Sequence, residues 1–245
     1  MHGLIGKALE CFLADAHGLA VRDAALAAAG RRNGGFRSTW RYPPDTLRRA
    51  LLTTASRTGL PVEALLVDLG IWLVSRPKTE ALRRLVRFGG ADYRGLLHSL
   101  EDLPARGRLA VPGLILPGIV LMDRNPAYEL RTEFAEPGAG WVLTGVLRAM
   151  ADDHGVLAVV EHVGTRRIPG GHEERLHVEV ADEAHATGRR FDLAPEKPIR
   201  PGHDICRVSP PPPAGAGTGA VGPTDSAPAA TRSDPEEPCP WPTAA

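Results

Sequence analysis

The chain has no excess of charge of either sign, few cysteines and no long apolar run, and each shortage removes a class of protein. Lysine and arginine total 29, aspartate and glutamate total 29, and the formal net charge is zero. A neutral chain gives no electrostatic reason to expect a nucleic acid or an anionic membrane as partner. The three cysteines, Cys11, Cys206 and Cys239, are odd in number, far apart and without metal-ligand spacing, so reduced thiols are expected, and no metal site. The longest apolar stretch, 109–122, is interrupted by Pro112, Gly113, Pro117 and Gly118. No segment is therefore expected to span a bilayer as a helix. The first residues lack the basic, apolar and small-residue regions of a secretory signal, and a cytoplasmic location is expected. There is no Walker A loop, no dinucleotide fingerprint and no Gly-x-Ser-x-Gly. No carboxylate pair or nucleophile–base arrangement stands out either, so an enzyme is not expected.

What remains is an ordinary globular composition, 43% hydrophobic and 24% charged over 245 residues, enough to bury a core. The first hundred residues read as helices. Leu4, Ile5, Ala8, Leu9 and Phe12 recur at helical spacing. A second helix near Val21 stops at Gly30. Asp45 is a plausible N-cap for a third that runs to Gly59. Pro61 suits the first turn of a fourth carrying Leu65, Leu66, Leu69 and Trp72. Two more are expected over 78–88 and from Tyr93 toward Leu103. Beyond Pro104 the pattern changes. Segment 115–122 is apolar and Tyr128 to Phe134 is extended in character. Trp141 to Met150 has helical spacing, Leu157 to Val163 reads as a strand, and Leu176, Val178 and Val180 alternate with polar residues. The expected fold is α+β: an N-terminal helical subdomain on an antiparallel sheet with one helix on its face. The boundaries are about 1–110 and 111–193. From 210 to 245 there are ten prolines, four glycines and eight alanines, and 194–245 is expected to be a disordered tail.

Several pieces of the chain carry a family likeness. The opening MHGLIGKALECFL, the stretch Tyr42-Pro43-Pro44-Asp45 through Ala55-Ser56, Ser99 to Leu103, Val111-Pro112-Gly113 with Pro117, and Gly138 with Gly145-Val146-Leu147 follow one another without large gaps. In order and spacing they resemble the haem nitric-oxide-binding (H-NOX) domain family, which includes the regulatory domain of soluble guanylate cyclase, over roughly residues 1–193. The resemblance implies helices against a sheet with haem b between them, an iron-ligating histidine in Leu-His, and a Tyr-x-Ser-x-Arg clamp on the propionates. It implies a nitric-oxide-sensing regulatory domain that signals to a separate protein such as a cyclase or histidine kinase. The alternative is a haem-less interaction or scaffold module of the same fold.

Two departures separate the chain from that pattern. The residue after Leu103 is Pro104, which has no imidazole and should kink or end the helix. The clamp positions are Thr132, Phe134 and Glu136, with a carboxylate where a guanidinium fork is expected. One nearby histidine, His98, is a candidate iron ligand, although at ~100° per residue it points about 120° from the face of position 104. The plainer reading is a half-exposed or hydrogen-bonded histidine on an otherwise apolar helix. Leu4, Ile5, Ala8 and Leu9 match the apolar distal wall, where a pocket without a hydrogen-bond donor would favour nitric oxide; ordinary core packing gives the same pattern. His172 and His177 around Glu173-Glu174 read as surface histidines. His203, Asp204, Cys206 and Cys239 could be weak metal or haem contacts, and Pro210 to Pro213 a spacer or a polyproline ligand. Arg48-Arg49, Arg83-Arg84 and Arg189-Arg190 read as solvated faces.

Overall fold

Local chemistry sets where the helices start. Helix α1 (Gly3–His17) begins behind His2, whose Nδ1 accepts the Leu4 N–H at 3.2 Å. That bond needs an unprotonated ring nitrogen, and burial, Arg41 and the terminal ammonium all lower the His2 pKa. The computed structural model describes residues 1–31, 34–43 and 45–189. Within them α2 (Leu19–Ala28) follows Gly18, and α3 (Asp45–Thr58) opens on Asp45, which pairs with Arg49 at 2.6 Å. Helix α4 (Val62–Ser75) starts directly after Pro61, a residue whose missing N–H costs nothing there. Helix α5 spans Glu80–Arg87. Helix α6 (Tyr93–Ser99) is capped by Asp92, which accepts the Gly95 N–H at 2.7 Å.

Pro104 does less damage than expected. The chain makes a 3-10 turn over Leu100–Asp102 and re-enters a helix, α7 (Leu103–Ala110), with Pro104 in its first turn. A first-turn N–H has no intrahelical acceptor, so proline starts this helix and breaks nothing.

The remaining elements are β1 (Gly118–Arg124), β2 (Ala127–Phe134), α8 (Ala139–His154), β3 (Leu157–Ile168) and β4 (Gly171–Asp182). The fold is therefore α+β, with the β-β-α-β-β order expected. The strands form one antiparallel sheet in the order β1-β2-β4-β3. Directly paired residues share a face. One row across the sheet is Ile119, Thr132, Glu174 and Thr165, and another holds Tyr128, Val178 and Val160.

Two apolar cores result. One joins Leu130, Leu176 and Val178 of the sheet to Leu143, Leu147 and Met150 of α8 and to Leu96 and Leu97 of α6. The other joins Leu9, Phe12 and Leu13 of α1 to Leu26 of α2, Leu51 of α3, and Leu66, Leu69 and Trp72 of α4. Helix α4 serves both, since Val74 lies in the first core, as befits a helix apolar on nearly every side. Each fully buried leucine contributes about 2 kcal/mol.

Three expectations are corrected or fall outside the description. Arg83 is not on a solvated face: it is 3% exposed, and its Nε and Nη2 both donate to the Asp153 carboxylate at 2.8–3.1 Å. Cys11 is disulfide-bonded and not a reduced thiol; it lies buried on α1. Residues 194–245, including His203, Asp204, Cys206, Pro210 to Pro213 and Cys239, lie outside the described residues, as does Arg190.

Candidate functional site

The expected pocket residues are spread over four elements. On α1, Ala8 and Leu9 are buried while Leu4 and Ile5 are half-buried. Leu9 faces the α1–α4 core. His98 is exposed near the end of α6, where its ring stands edge-on to Tyr128 with centroids 5.7 Å apart. Pro104 is half-buried in the first turn of α7. The α7–β1 connection is tied to the helical part by Arg41, whose Nη2 donates to Gly113 O at 3.0 Å. His98 and Pro104 thus sit on different helices, separated by the 3-10 turn.

The segment joining β2 to α8 is more informative. Thr132 is fully buried, and its hydroxyl has no hydrogen-bond partner among the described residues. Phe134 is half-buried and Glu136 is exposed. Opposite Thr132 in the register stands Glu174, 2% exposed. Its Oε2 accepts the N–H groups of Gly138 at 3.0 Å and Gly140 at 2.8 Å, at the head of α8. Its Oε1 meets His162 Nε2 at 3.2 Å and Thr165 Oγ1 at 3.3 Å. The His162 ring is stacked on Trp141, centroids 4.0 Å apart and planes 16° from parallel. A buried carboxylate with four donors is fully satisfied, and the helix dipole favours its charge.

Sequence reasoning missed Glu174. The signal was present: the alternation of Leu176, Val178 and Val180, extended two residues back, puts Glu174 on the apolar face of β4. His172 Nδ1 lies 3.3 Å from Ala135 O, and His177 is half-buried.

Elsewhere, an open cleft of about 260 Å³ lies between α4 and α8, lined by Ile71, Val74, Ser75, Arg148, Ala149 and Asp152 among others. None of the expected pocket residues lines it. No group of three or more histidine, cysteine or carboxylate side chains among the described residues could hold a metal ion. No single helix among them is long and apolar enough to cross a membrane.

Comparison with known proteins bears on the family and the fold. A family model described as haem-NO-binding (HNOB) matches residues 2–131. No curated protein matches the chain. Among solved structures, a Cs H-NOX mutant carrying 4-cyano-L-phenylalanine superposes with a TM-score of 0.64 at 16% identity, over 76% of this chain and 100% of that one. A T. tengcongensis H-NOX mutant gives 0.63 at 16% identity, over 75% and 99%. An oxygen-binding H-NOX domain related to soluble guanylate cyclases gives 0.59 at 16% identity, over 78% and 100%. At such identities the structural likeness establishes the shared fold.

Proposed function

The chain belongs to the haem-NO-binding (HNOB) family, and from that premise we propose that it is a non-catalytic regulatory domain acting through a partner protein without a histidine-ligated haem. Pro104 carries this reading. The flanking likeness of Ser99 to Leu103 and of Val111 to Gly113 supports reading Pro104 as the family's ligand position; it opens α7 and offers no nitrogen lone pair. The clamp positions support it too. Thr132 has a short hydroxyl and Phe134 no polar group. Glu136 is an exposed carboxylate, and a second carboxylate, Glu174, is buried beside Thr132. A propionate there would meet negative charge in place of a bidentate guanidinium. These residues do not fit a haem held by the family's ligand and clamp.

An absorption spectrum tests the reading. Protein from haem-fed cells, or titrated with haemin, should show no stoichiometric Soret band. One equivalent of haem that forms a nitrosyl complex would overturn it. The partner class the family suggests is a signalling enzyme such as a cyclase or histidine kinase. Capture of such a partner by haem-free protein is the matching positive result.

A second reading, a haem-b nitric-oxide sensor, is favoured by the family's own description and by one imidazole. His98 is exposed and makes no hydrogen bond among the described residues. Leu4, Ile5, Ala8 and Leu9 would give a distal wall without a donor. Under this reading a Soret band appears and His98→Ala shifts or abolishes it.

A further inference from the structure

We propose that the head of α8 is a carboxylate-binding seat, and that the chain fills this seat with its own Glu174. This deepens the haem-less reading and rests on it: a seat already holding a protein carboxylate is closed to the acid group of a ligand.

The seat is built from four groups that meet the Glu174 carboxylate. Two are backbone N–H groups of Gly138 and Gly140, where the dipole of a helix running from Ala139 to His154 is positive. Two are side chains on β3, His162 and Thr165, and the Trp141 stack fixes the imidazole. The backbone is shaped for the purpose. Gly138 has φ 112°, and a Cβ on Gly140 would lie 2.9 Å from Glu174 Cβ and 3.0 Å from His162 Cδ2. Only glycine lets the Glu174 side chain and the His162 ring pack that close to the helix start.

A second observation points the same way. The Thr132 hydroxyl is fully buried, lacks a partner among the described residues, and shares a face with Glu174 as its register neighbour. A further buried hydroxyl therefore lies on the same face of the sheet, on the strand next to Glu174, and Glu174 does not use it. Truncating Glu174 to alanine removes a CH2–COO⁻ unit, and acetate has the matching shape and charge.

Chemical rescue in the full chain tests the seat. Glu174→Ala strands four donors and should lower Tm by about 10 °C. Sodium acetate, compared with sodium chloride at equal ionic strength, should then raise the Tm of E174A by about 4 °C at a concentration roughly tenfold above its Kd, and the rise should saturate. The wild-type chain, whose seat is filled, should not distinguish the two salts. Glu174→Gln, which fills the space without the charge, should melt between the other two and ignore acetate. If E174A is unfolded in chloride, the same contrast is read as recovery of far-UV circular dichroism on dialysis into acetate. Equal behaviour of E174A in acetate and chloride overturns the proposal, as does an acetate response in the wild type. Neither outcome depends on haem, so a Soret band would defeat the functional reading and leave the rescue result to stand or fall separately.

Discussion

Gly70 on α4 and Gly145 on α8 face each other where the helices cross, and neither has room for a side chain. A Cβ on Gly70 would lie 2.1 Å from Val142 O, and one on Gly145 would lie 2.0 Å from Val67 O. Each obstacle is backbone, so relief requires the helices themselves to separate. Helix α4 belongs to both cores, and a shift there disturbs both. Gly145→Ala should cost about 3 kcal/mol in a denaturant melt. Gly164→Ala is the control, because nothing lies within 4 Å of its added Cβ, and it should change stability by less than about 0.5 kcal/mol.

The helix order and the β-β-α-β-β layout were legible in the sequence because both rest on periodicity and on local punctuation such as Gly30, Gly59 and Pro61. The family likeness rested on residues of the same kind, Gly138 and Gly145 among them. What could not be read was pairing across distance. Arg83 looks like half of a surface Arg-Arg pair until Asp153, far along the chain, takes its guanidinium. Glu174 looks like a surface acid until the two glycines at the head of α8 supply its donors. Pro104 was expected to kink or end a helix, but the 3-10 turn before it moves it from a helix interior to a helix start.

The buried ion group at the far end of α8 invites a direct test. Asp153 is 7% exposed and takes both Arg83, bidentate, and Arg87 at 2.7 Å. Removing the acid leaves a guanidinium that is 3% exposed without its main counter-charge. Asp153→Ala should therefore cost about 3–5 kcal/mol. Asp153→Leu combined with Arg83→Met, which removes both buried charges, should recover much of that loss. A double variant as unstable as the single one would show that the pair contributes through shape and not through charge.

Acid sensitivity should be traceable to His154. Burial, followed by the nearby Arg87, lowers its pKa from the ordinary 6.5, although the Met150 carbonyl, Asp153 and Asp92 pull the other way. Its Nδ1 lies 2.8 Å from Met150 O, and its Nε2 is buried without a partner among the described residues. With the folded value below the unfolded one, the unfolded chain binds more protons as pH falls. The stabilisation is complete above about pH 6.5 and is lost as the pH drops through that value toward the folded one. His154→Asn keeps a donor for Met150 O and does not titrate. Its Tm should fall less than that of the wild type between pH 7.5 and 5.5. Part of the slope should remain, because the His2 pKa is also lowered.

The proposed ligand and clamp positions can be tested by putting the family's groups in. Pro104 occupies the first turn of α7, where a histidine is sterically acceptable and where no helical hydrogen bond depends on the residue's N–H. Glu136 is exposed, so arginine can replace it without leaving a hole. If the interface keeps the shape of the family and lacks only chemistry, Pro104→His with Glu136→Arg should gain haemin affinity by at least tenfold over the wild-type chain, about 1.4 kcal/mol, with a new Soret band. Adding Glu174→Gln should strengthen that gain, since a buried carboxylate beside Thr132 repels a propionate. If all three changes together leave the spectrum of haemin in buffer unaltered, then packing closes the interface to haem, and the haem-less reading rests on shape as much as on the residue at position 104.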